Sequence, residues 1–376
     1  MQKVLTVFGT RPEAIKIAPV ILALNATFDV RICVTGQHKQ MLDQVLKVFE
    51  IVPDYNLDIM VDDQGLNTTS ARILVEMEKV LTLVQPDIVL VQGDTTTALS
   101  VALASFYRGI KVGHIEAGLR THDFSSPFPE ELNRQLISRI ASLHFAPTVM
   151  AQDNLIKEGI PSNIIHVTGN TVIDSLQMAV GKASLVEFPE EVCRVAPFLR
   201  DSAQKKPTII LVTGHRREHF GQRFENICKA IKEIADQNRE VAVIYPVHLN
   251  PNVQEPVNRI LSNINNVCLL PPLDYLSFVK LLELSKLVLT DSGGIQEEAP
   301  SLGKPVLVMR KNTERPEGIK AGTACVVGIT VSEISSTVKK LLKNKDFYES
   351  MSSSQNPYGD GLASKRIKEI LETVIV

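Results

Sequence analysis

At 376 residues the chain is too long for one typical hydrophobic core and fits two domains of ordinary size. A formal net charge of −2 without blocks of like charge argues against a nucleic-acid surface, and no apolar run approaches the ~18 residues of a membrane span. The five cysteines, Cys33, Cys193, Cys228, Cys268 and Cys325, are scattered without a C-x-x-C pair, which argues against a disulfide framework and a zinc site. The composition therefore reads as a soluble protein of a reducing cytoplasm with a small-molecule partner.

Met1-Gln2-Lys3 runs directly into a strand and lacks the apolar core and cleavage site of a signal peptide. Short β-branched runs then alternate with longer helical patterns, the signature of parallel sheets covered by helices on both faces, so the fold class is α/β. Strands are expected at Lys3–Phe8, Val30–Val34, Ile88–Val91, Lys111–Ile115, Leu143–Ala146 and Ile164–Val167 in the first half. In the second half they are expected at Thr208–Val212, Val241–Tyr245, Val267–Leu270, Leu287–Thr290, Val306–Met309 and Ala324–Val327. The charged, proline-bearing stretch Lys182–Pro207 reads as the end of one domain and the link to the next, giving domains of 1–181 and 182–360. Phe224, Ile227, Cys228, Ile231, Ile234 and Ala235 recur at helical spacing and predict an inward-facing helix. Helical spacing returns over Gly361–Val376, a segment expected to cross back onto the first domain.

Ligands of open α/β sheets bind beyond the carboxyl ends of strands, so polar residues placed there are the first functional candidates. After the first strand, Gly9-Thr10-Arg11-Pro12-Glu13-Ala14-Ile15-Lys16 lacks G-x-G-x-x-G, which removes the fingerprint of a hydride-transfer enzyme. Arg11 and Lys16 suit a phosphoryl or carboxylate group; the plainer reading makes them solvated helix charges. The strand at 88 ends in Gln92-Gly93-Asp94, and the strand at 111 ends in Glu116-Ala117-Gly118-Leu119-Arg120. Pro127-Phe128-Pro129-Glu130-Glu131-Leu132-Asn133-Arg134 then opens a helix whose acids either serve a site or merely favour the helix start. Three acids converging on one cleft would repel and raise at least one pKa, as a general acid or base near neutrality requires.

In the second half, Val212-Thr213-Gly214-His215-Arg216-Arg217-Glu218 follows a strand and places His215 at its end, and His248 has a similar placement. Thr290-Asp291-Ser292-Gly293-Gly294-Ile295-Gln296-Glu297-Glu298 ends a strand in a Ser-Gly-Gly turn and opens into a helix, an anion seat whose glycines let a phosphate approach unpaired N–H groups. Glu298, one turn further on, can accept from ribose hydroxyls, so phosphate and diol together indicate a nucleotide. The alternative is an ordinary turn whose glycines only permit the bend. Arg315 follows the next strand and could pair with a diphosphate. No Asp-x-Asp motif or histidine ligand spacing occurs, so no metal is expected.

These stretches resemble the non-hydrolysing UDP-N-acetylglucosamine 2-epimerases of bacteria nearly end to end. The resemblance is carried by Phe8–Lys16, Gly93-Asp94-Thr95-Thr96-Thr97, Glu116–Arg120, Thr213–Glu218, Asp291–Glu298 and Arg315-Pro316-Glu317. It implies two Rossmann-like domains of the glycosyltransferase-B type facing across a cleft, a homodimer, and no cofactor. The implied reaction is reversible C2 epimerisation of UDP-GlcNAc to UDP-ManNAc by anti elimination of UDP to 2-acetamidoglucal and re-addition, supplying ManNAc units for surface polysaccharide. On the matching positions it makes Asp94, Glu116 and Glu130 the acid–base groups, with His215, Arg11, Arg315 and the Ser292-Gly293-Gly294 turn on the diphosphate. Glu298 would hold the ribose, Phe278 and Leu273 would lie at the uracil, and Lys16 and Arg134 would bind near the acids. Gln37, His38, Gln40, Gln64, Arg216 and His248 match much of the pattern by which some Gram-positive members bind a second UDP-GlcNAc as activator. The arginine usual before the matching glutamine is Asp63 here, so that regulation does not carry over automatically. Rival readings are a sugar transferase of the same fold, the hydrolysing branch of the epimerases, and a sensor that binds a sugar nucleotide without turning it over.

Overall fold

The computed structural model describes all residues except 37–38, 60–63, 201–206, 215, 217–218 and 375–376. They form two compact units: unit 1 is Met1–Gln177 with Tyr358–Val376, and unit 2 is Met178–Pro357.

Unit 1 is built on seven parallel strands: β1 (Lys3–Phe8), β2 (Asp29–Val34), β3 (Tyr55–Asn56), β4 (Ile88–Gln92), β5 (Lys111–Ile115), β6 (Leu143–Ala146) and β7 (Ile165–Val167). Their order is β3-β2-β1-β4-β5-β6-β7, so the winding reverses between β1 and β4, where Val4 to Val7 run in register with Ile88 to Val91. Helices cover both faces of such a sheet, which is why Ile88, Val89, Leu90 and Val91 are all buried rather than alternating in and out. The chain ends diverge at the reversal and leave a crevice at the carboxyl ends, the place where this architecture binds ligands.

The helix Arg11–Leu24 opens that crevice. Thr10 caps it and Glu13 reaches back to the Thr10 N–H in a capping box, while Pro12 occupies the first turn. Its outer side is covered by the C-terminal helix Ala363–Val374, which buries Ile367 and Leu371. The start of that last helix is held by Asp174, whose carboxylate accepts from the N–H groups of Ala363 (3.2 Å) and Ser364 (2.8 Å). The sequence expectation set the chain's return at residue 361; the contacts begin at Tyr358, whose carbonyl accepts from Asn170 N–H at 2.7 Å.

Unit 2 has six parallel strands: β8 (Thr208–Thr213), β9 (Val241–Pro246), β10 (Val267–Leu270), β11 (Leu287–Thr290), β12 (Val306–Val308) and β13 (Ala324–Val326), in the order β10-β9-β8-β11-β12-β13. The reversal here lies between β8 and β11. The helix Gln222–Gln237 buries the six apolar residues that its spacing singled out.

Two local expectations need correction, and one short strand was not foreseen. The stretch 182–207 is not only a link: Glu190–Val195 is a helix, and Phe188, Val192, Cys193, Ala196 and Leu199 enter the core of unit 2. Six helical residues are too few for a period to show. β3 is two residues long, too short for any alternation to be legible. Ser162–Ile164 forms a 3-10 turn, so β7 starts one residue later than the apolar run suggested. Among the described residues no helix is long and apolar enough to cross a membrane.

Candidate active site

Unit 1 holds a cavity of about 300 Å³ at the carboxyl ends of its central strands, lined among others by Glu13, Lys16, Gln92, Asp94, Thr95 and Glu116. That volume is at the small end of ligand sites. β1, β4 and β5 are neighbours, and their ends deliver the turn before Glu13 and Lys16, the turn of Asp94, and Glu116.

Glu116 leaves β5 with φ +67°, a left-handed conformation that costs a non-glycine residue on the order of 1 kcal/mol or more. Its side chain is saturated by donors. Oε1 accepts from Lys16 Nζ at 2.5 Å and Asn170 Nδ2 at 3.1 Å, and Oε2 accepts from Gln92 Nε2 at 2.6 Å. Asp94 Oδ2 accepts from Arg134 Nε at 2.8 Å and pairs with Nη2 at 2.7 Å, while Asn133 Nδ2 donates to the Asp94 carbonyl at 2.8 Å. Arg134 also reaches Glu131 at 3.2 Å. Burial pushes the Glu131 carboxyl up, but donation from Thr121 N–H, Gln135 and His122 N–H and the Arg134 charge outweigh it and hold it below the usual range.

The Glu13 carboxyl is held above its ordinary range. Burial raises it, and donation from Thr95, from the Thr10 hydroxyl and from the Gly9 and Thr10 N–H groups opposes the rise. It ties the turn after β1 to the turn after β4, taking Gly9 N–H at 3.0 Å, Thr10 N–H at 2.7 Å and the Thr95 hydroxyl at 2.6 Å. Below the turn of Asp94, the His114 ring meets the Gly93 carbonyl at 2.7 Å.

In unit 2, β11 ends in Thr290, whose hydroxyl pairs with Thr213 at 2.6 Å and accepts from Ser292 N–H at 2.9 Å. Ser292 caps the helix Gly293–Glu298 by position, with no side-chain bond to the helix start. A Cβ on Gly294 would meet nothing within 4 Å, and one on Gly293 would lie 3.5 Å from Glu314 Oε1 and 3.7 Å from Arg315 Nη2. Gly294 thus leaves open space at a helix start, the kind of place that receives an anion, with a carboxylate and a guanidinium both beside Gly293. Arg315 is buried, ion-paired through Nε with Glu297, and its N–H donates to Thr313 Oγ1 at 3.0 Å. Next to it, burial pushes Glu314 up, but the charges of Arg216, Arg310 and Arg315 win and hold its carboxyl down at about 2. Arg216 donates to Glu314 Oε1 at 2.7 Å, and its N–H donates to the buried Asp291 at 2.9 Å. Glu298 is buried in the same short helix. Leu273 and Phe278 pack in one apolar cluster with Ile295, so an apolar wall and the helix start share a neighbourhood.

The expected residues therefore fall into two groups. Unit 1 brings together Lys16, Asp94, Glu116 and Arg134; unit 2 brings together Ser292, Gly293, Gly294, Glu298, Arg315, Leu273 and Phe278. Arg11 stands half-buried in the first turn of its helix, without an ion pair among the described residues. Glu130 opens its helix and does not line the cavity; Glu131 is the acid of that turn that faces inward, and the third cavity carboxyl is Glu13. Gln37, His38, His215 and the side chain of Gln40 lie outside the described residues, as does Asp63. Gln64 belongs to unit 1 and accepts from Arg72 at 3.4 Å. Arg216 and the exposed His248, which takes Asn250 N–H on Nδ1 at 3.1 Å, belong to unit 2. Glu13 had a legible signal, the Thr-x-x-Glu box at Thr10. Gln92 had only its place at a strand end, and Asn170 had none.

Doubly wound parallel sheets whose reversal points carry carboxylates in one unit and an anion seat in the other define the glycosyltransferase-B class of nucleotide-sugar proteins. A family model described as UDP-N-acetylglucosamine 2-epimerase matches residues 22–372. The chain belongs to that family, a family of isomerases. It is 55% identical over 375 residues to a UDP-N-acetylglucosamine 2-epimerase of Yersinia pestis, covering 98% of either chain. It is 54% identical over 374 residues to that of Salmonella typhimurium, covering 99% of this chain and 98% of the relative. Its fold matches the crystal structure of the Neisseria meningitidis UDP-GlcNAc 2-epimerase bound to UDP-GlcNAc, with a TM-score of 0.91, 48% identity, and coverage of 99% of this chain and 100% of that one.

Proposed function

We propose that the protein interconverts UDP-GlcNAc and UDP-ManNAc by eliminating UDP across C1–C2 of the sugar and adding it back after the C2 proton has returned on the opposite face. The observation that carries this reading is the presence of Glu116, bonded to Lys16 and two amides, together with Asp94 in one sugar-sized cavity. In the forward step a carboxylate takes the C2 proton, the C2 electron pair forms the glucal double bond, and the anomeric C–O bond breaks with its pair leaving on UDP. Asp94 and Glu116 are assigned to the proton transfers from their place in the cavity, with Lys16 and Arg134 setting the charge around them, and Glu130, which does not line it, joins them on the family pattern alone. The departing diphosphate is assigned to the Gly293-Gly294 helix start and Arg315 of unit 2, whose N–H groups and charge match an anion that grows as the bond breaks, and Arg11 is given the same role on the family pattern alone. Glu298 is assigned to the ribose hydroxyls and the Leu273–Phe278 wall to the uracil. His215 joins the diphosphate set on the family pattern alone.

The test is incubation with UDP-GlcNAc in D2O followed by NMR. Deuterated UDP-ManNAc in a mixed equilibrium is the expected result. Free ManNAc would assign hydrolysis, and absence of C2 exchange would leave only binding or transfer.

We also assign the protein to the cytoplasm, where its sugar nucleotide is made, and to a supply of ManNAc units for surface polysaccharide. A homodimer is proposed on the apolar row Phe106, Tyr107, Leu132 and Leu136, exposed on adjacent packed helices of unit 1.

A further inference from the structure

We propose that Asn170 is a positioning residue that aims the Glu116 carboxylate into the cavity, and that the chain's return into unit 1 at Tyr358 and Gly359 locks Asn170 in that role. The inference rests on the reading of Glu116 as an acid–base group and adds to it a residue 54 positions away in sequence.

Glu116 sits in left-handed backbone at the last turn of its strand, so the sheet does not by itself fix where its side chain points. Its donors do. They come from three separate elements: Lys16 from the helix after β1, Gln92 from the end of β4, and Asn170 from the loop after β7. Lys16 lines the cavity on a long stem with several rotatable bonds. Asn170 is different. It is 2% exposed and held at both ends. Its Oδ1 accepts from Val172 N–H at 3.1 Å, an Asx turn at the start of the next helix. With the oxygen committed there, the amide has one orientation, and Nδ2 faces Glu116. An uncharged donor fixed in this way orients a carboxylate without neutralising it.

The loop that carries Asn170 is fixed in turn by the returning chain. Asn170 N–H donates to the Tyr358 carbonyl at 2.7 Å, and Tyr358 is fully buried. Gly169 and Gly359 face one another at positive φ, +90° and +141°. A Cβ on Gly359 would stand 3.4 Å from Asn170 N and 3.5 Å from the Gly169 Cα. Those are ordinary contacts, but at that φ an alanine is strained whatever the space, so Gly359→Ala perturbs the returning chain beside the Tyr358 carbonyl that holds Asn170, without touching the cavity.

The experiment uses the full chain and four variants. Asn170→Ser keeps an oxygen that can cap Val172 but loses the donor to Glu116; Asn170→Asp keeps the shape and adds a charge; Gly359→Ala perturbs the returning chain; Glu116→Gln is the reference. Melting temperature, UDP affinity by calorimetry, KM, kcat and the pH profile of kcat are measured for each. Asn170→Ser is expected to lower kcat about tenfold to a hundredfold with KM and UDP affinity within about twofold, in line with losing the support of a reacting group. The acid limb of its profile moves to higher pH, and that of Asn170→Asp moves further. Gly359→Ala also lowers kcat, and adds little when combined with Asn170→Ser, because both act through one contact. A merely structural role would lower the melting temperature and leave the kcat and pH limb of the folded enzyme unchanged. Wild-type kcat and profile in Asn170→Ser, with Glu116→Gln inactive, would overturn this inference alone. A fully active Glu116→Gln would overturn it together with the reading of Glu116.

Discussion

His114 and His144 lie opposite each other on neighbouring strands β5 and β6, both fully buried. Burial lowers His114 to about 3, against a smaller upward pull from the Gly93 carbonyl. Burial and the Arg120 charge lower His144 to about 4, against a smaller upward pull from the Ala141 backbone. Both rings are therefore neutral in the fold and protonated in the unfolded chain below its ordinary value of about 6.5. Their stability contribution is fully present above that pH. It is lost as pH falls, at about 1.4 kcal/mol per pH unit for each ring, down to the folded-state value. At pH 5 each ring should have cost about 2 kcal/mol relative to pH 8. His144→Leu, close in size and suited to the apolar site, removes one ring's share. The difference in stability between pH 8 and pH 5 should then shrink by about 2 kcal/mol against the parent. The measurement is urea unfolding at both pH values, read by hydrogen exchange over β5 and β6 so that unit 1 is followed separately from unit 2. An unchanged pH dependence in His144→Leu would refute the reasoning. The effect reaches the site, because the His114 ring holds the Gly93 carbonyl in the turn that presents Asp94.

Gly118→Ala is expected to destabilise unit 1 by about 3 kcal/mol or more, because its φ is +91° and a Cβ would stand 2.1 Å from the Ala151 carbonyl oxygen. A urea midpoint equal to the parent's would contradict this. Phe106→Glu with Leu136→Glu should convert a dimer to a monomer in sedimentation without loss of unit 1 folding, and an unchanged mass would remove these helices from the proposed interface.

Much of the architecture was legible because parallel strands buried on both faces are continuous apolar runs, as in Ile88–Val91 and Leu287–Thr290. Long helices such as Gln222–Gln237 show several periods. What escaped was short or non-local. Tyr55–Asn56 offers no alternation to read, and Glu190–Val195 spans under two turns inside a charged stretch. In the site, motif residues at strand ends such as Asp94, Glu116 and Gly293 announced themselves by position. Asn170 did not, since its importance lies in a bond across the fold, and an asparagine before a helix reads as an ordinary cap. The relative roles of Glu130 and Glu131 were equally hidden. Glu131 is the acid that turns inward, where it accepts from the N–H groups of Thr121 and His122, bonds across the fold that adjacent acids in a sequence do not reveal.

The helix Ala363–Val374 lies against the helix that carries Arg11 and Lys16. During synthesis the ribosome makes that first helix early and its cover among the last residues, after all of unit 2. The nascent first unit must wait, with one flank bare, while some 180 intervening residues are translated. A premature stop before residue 363 would release a chain with every residue assigned to chemistry present and the helix beneath two of them unsupported.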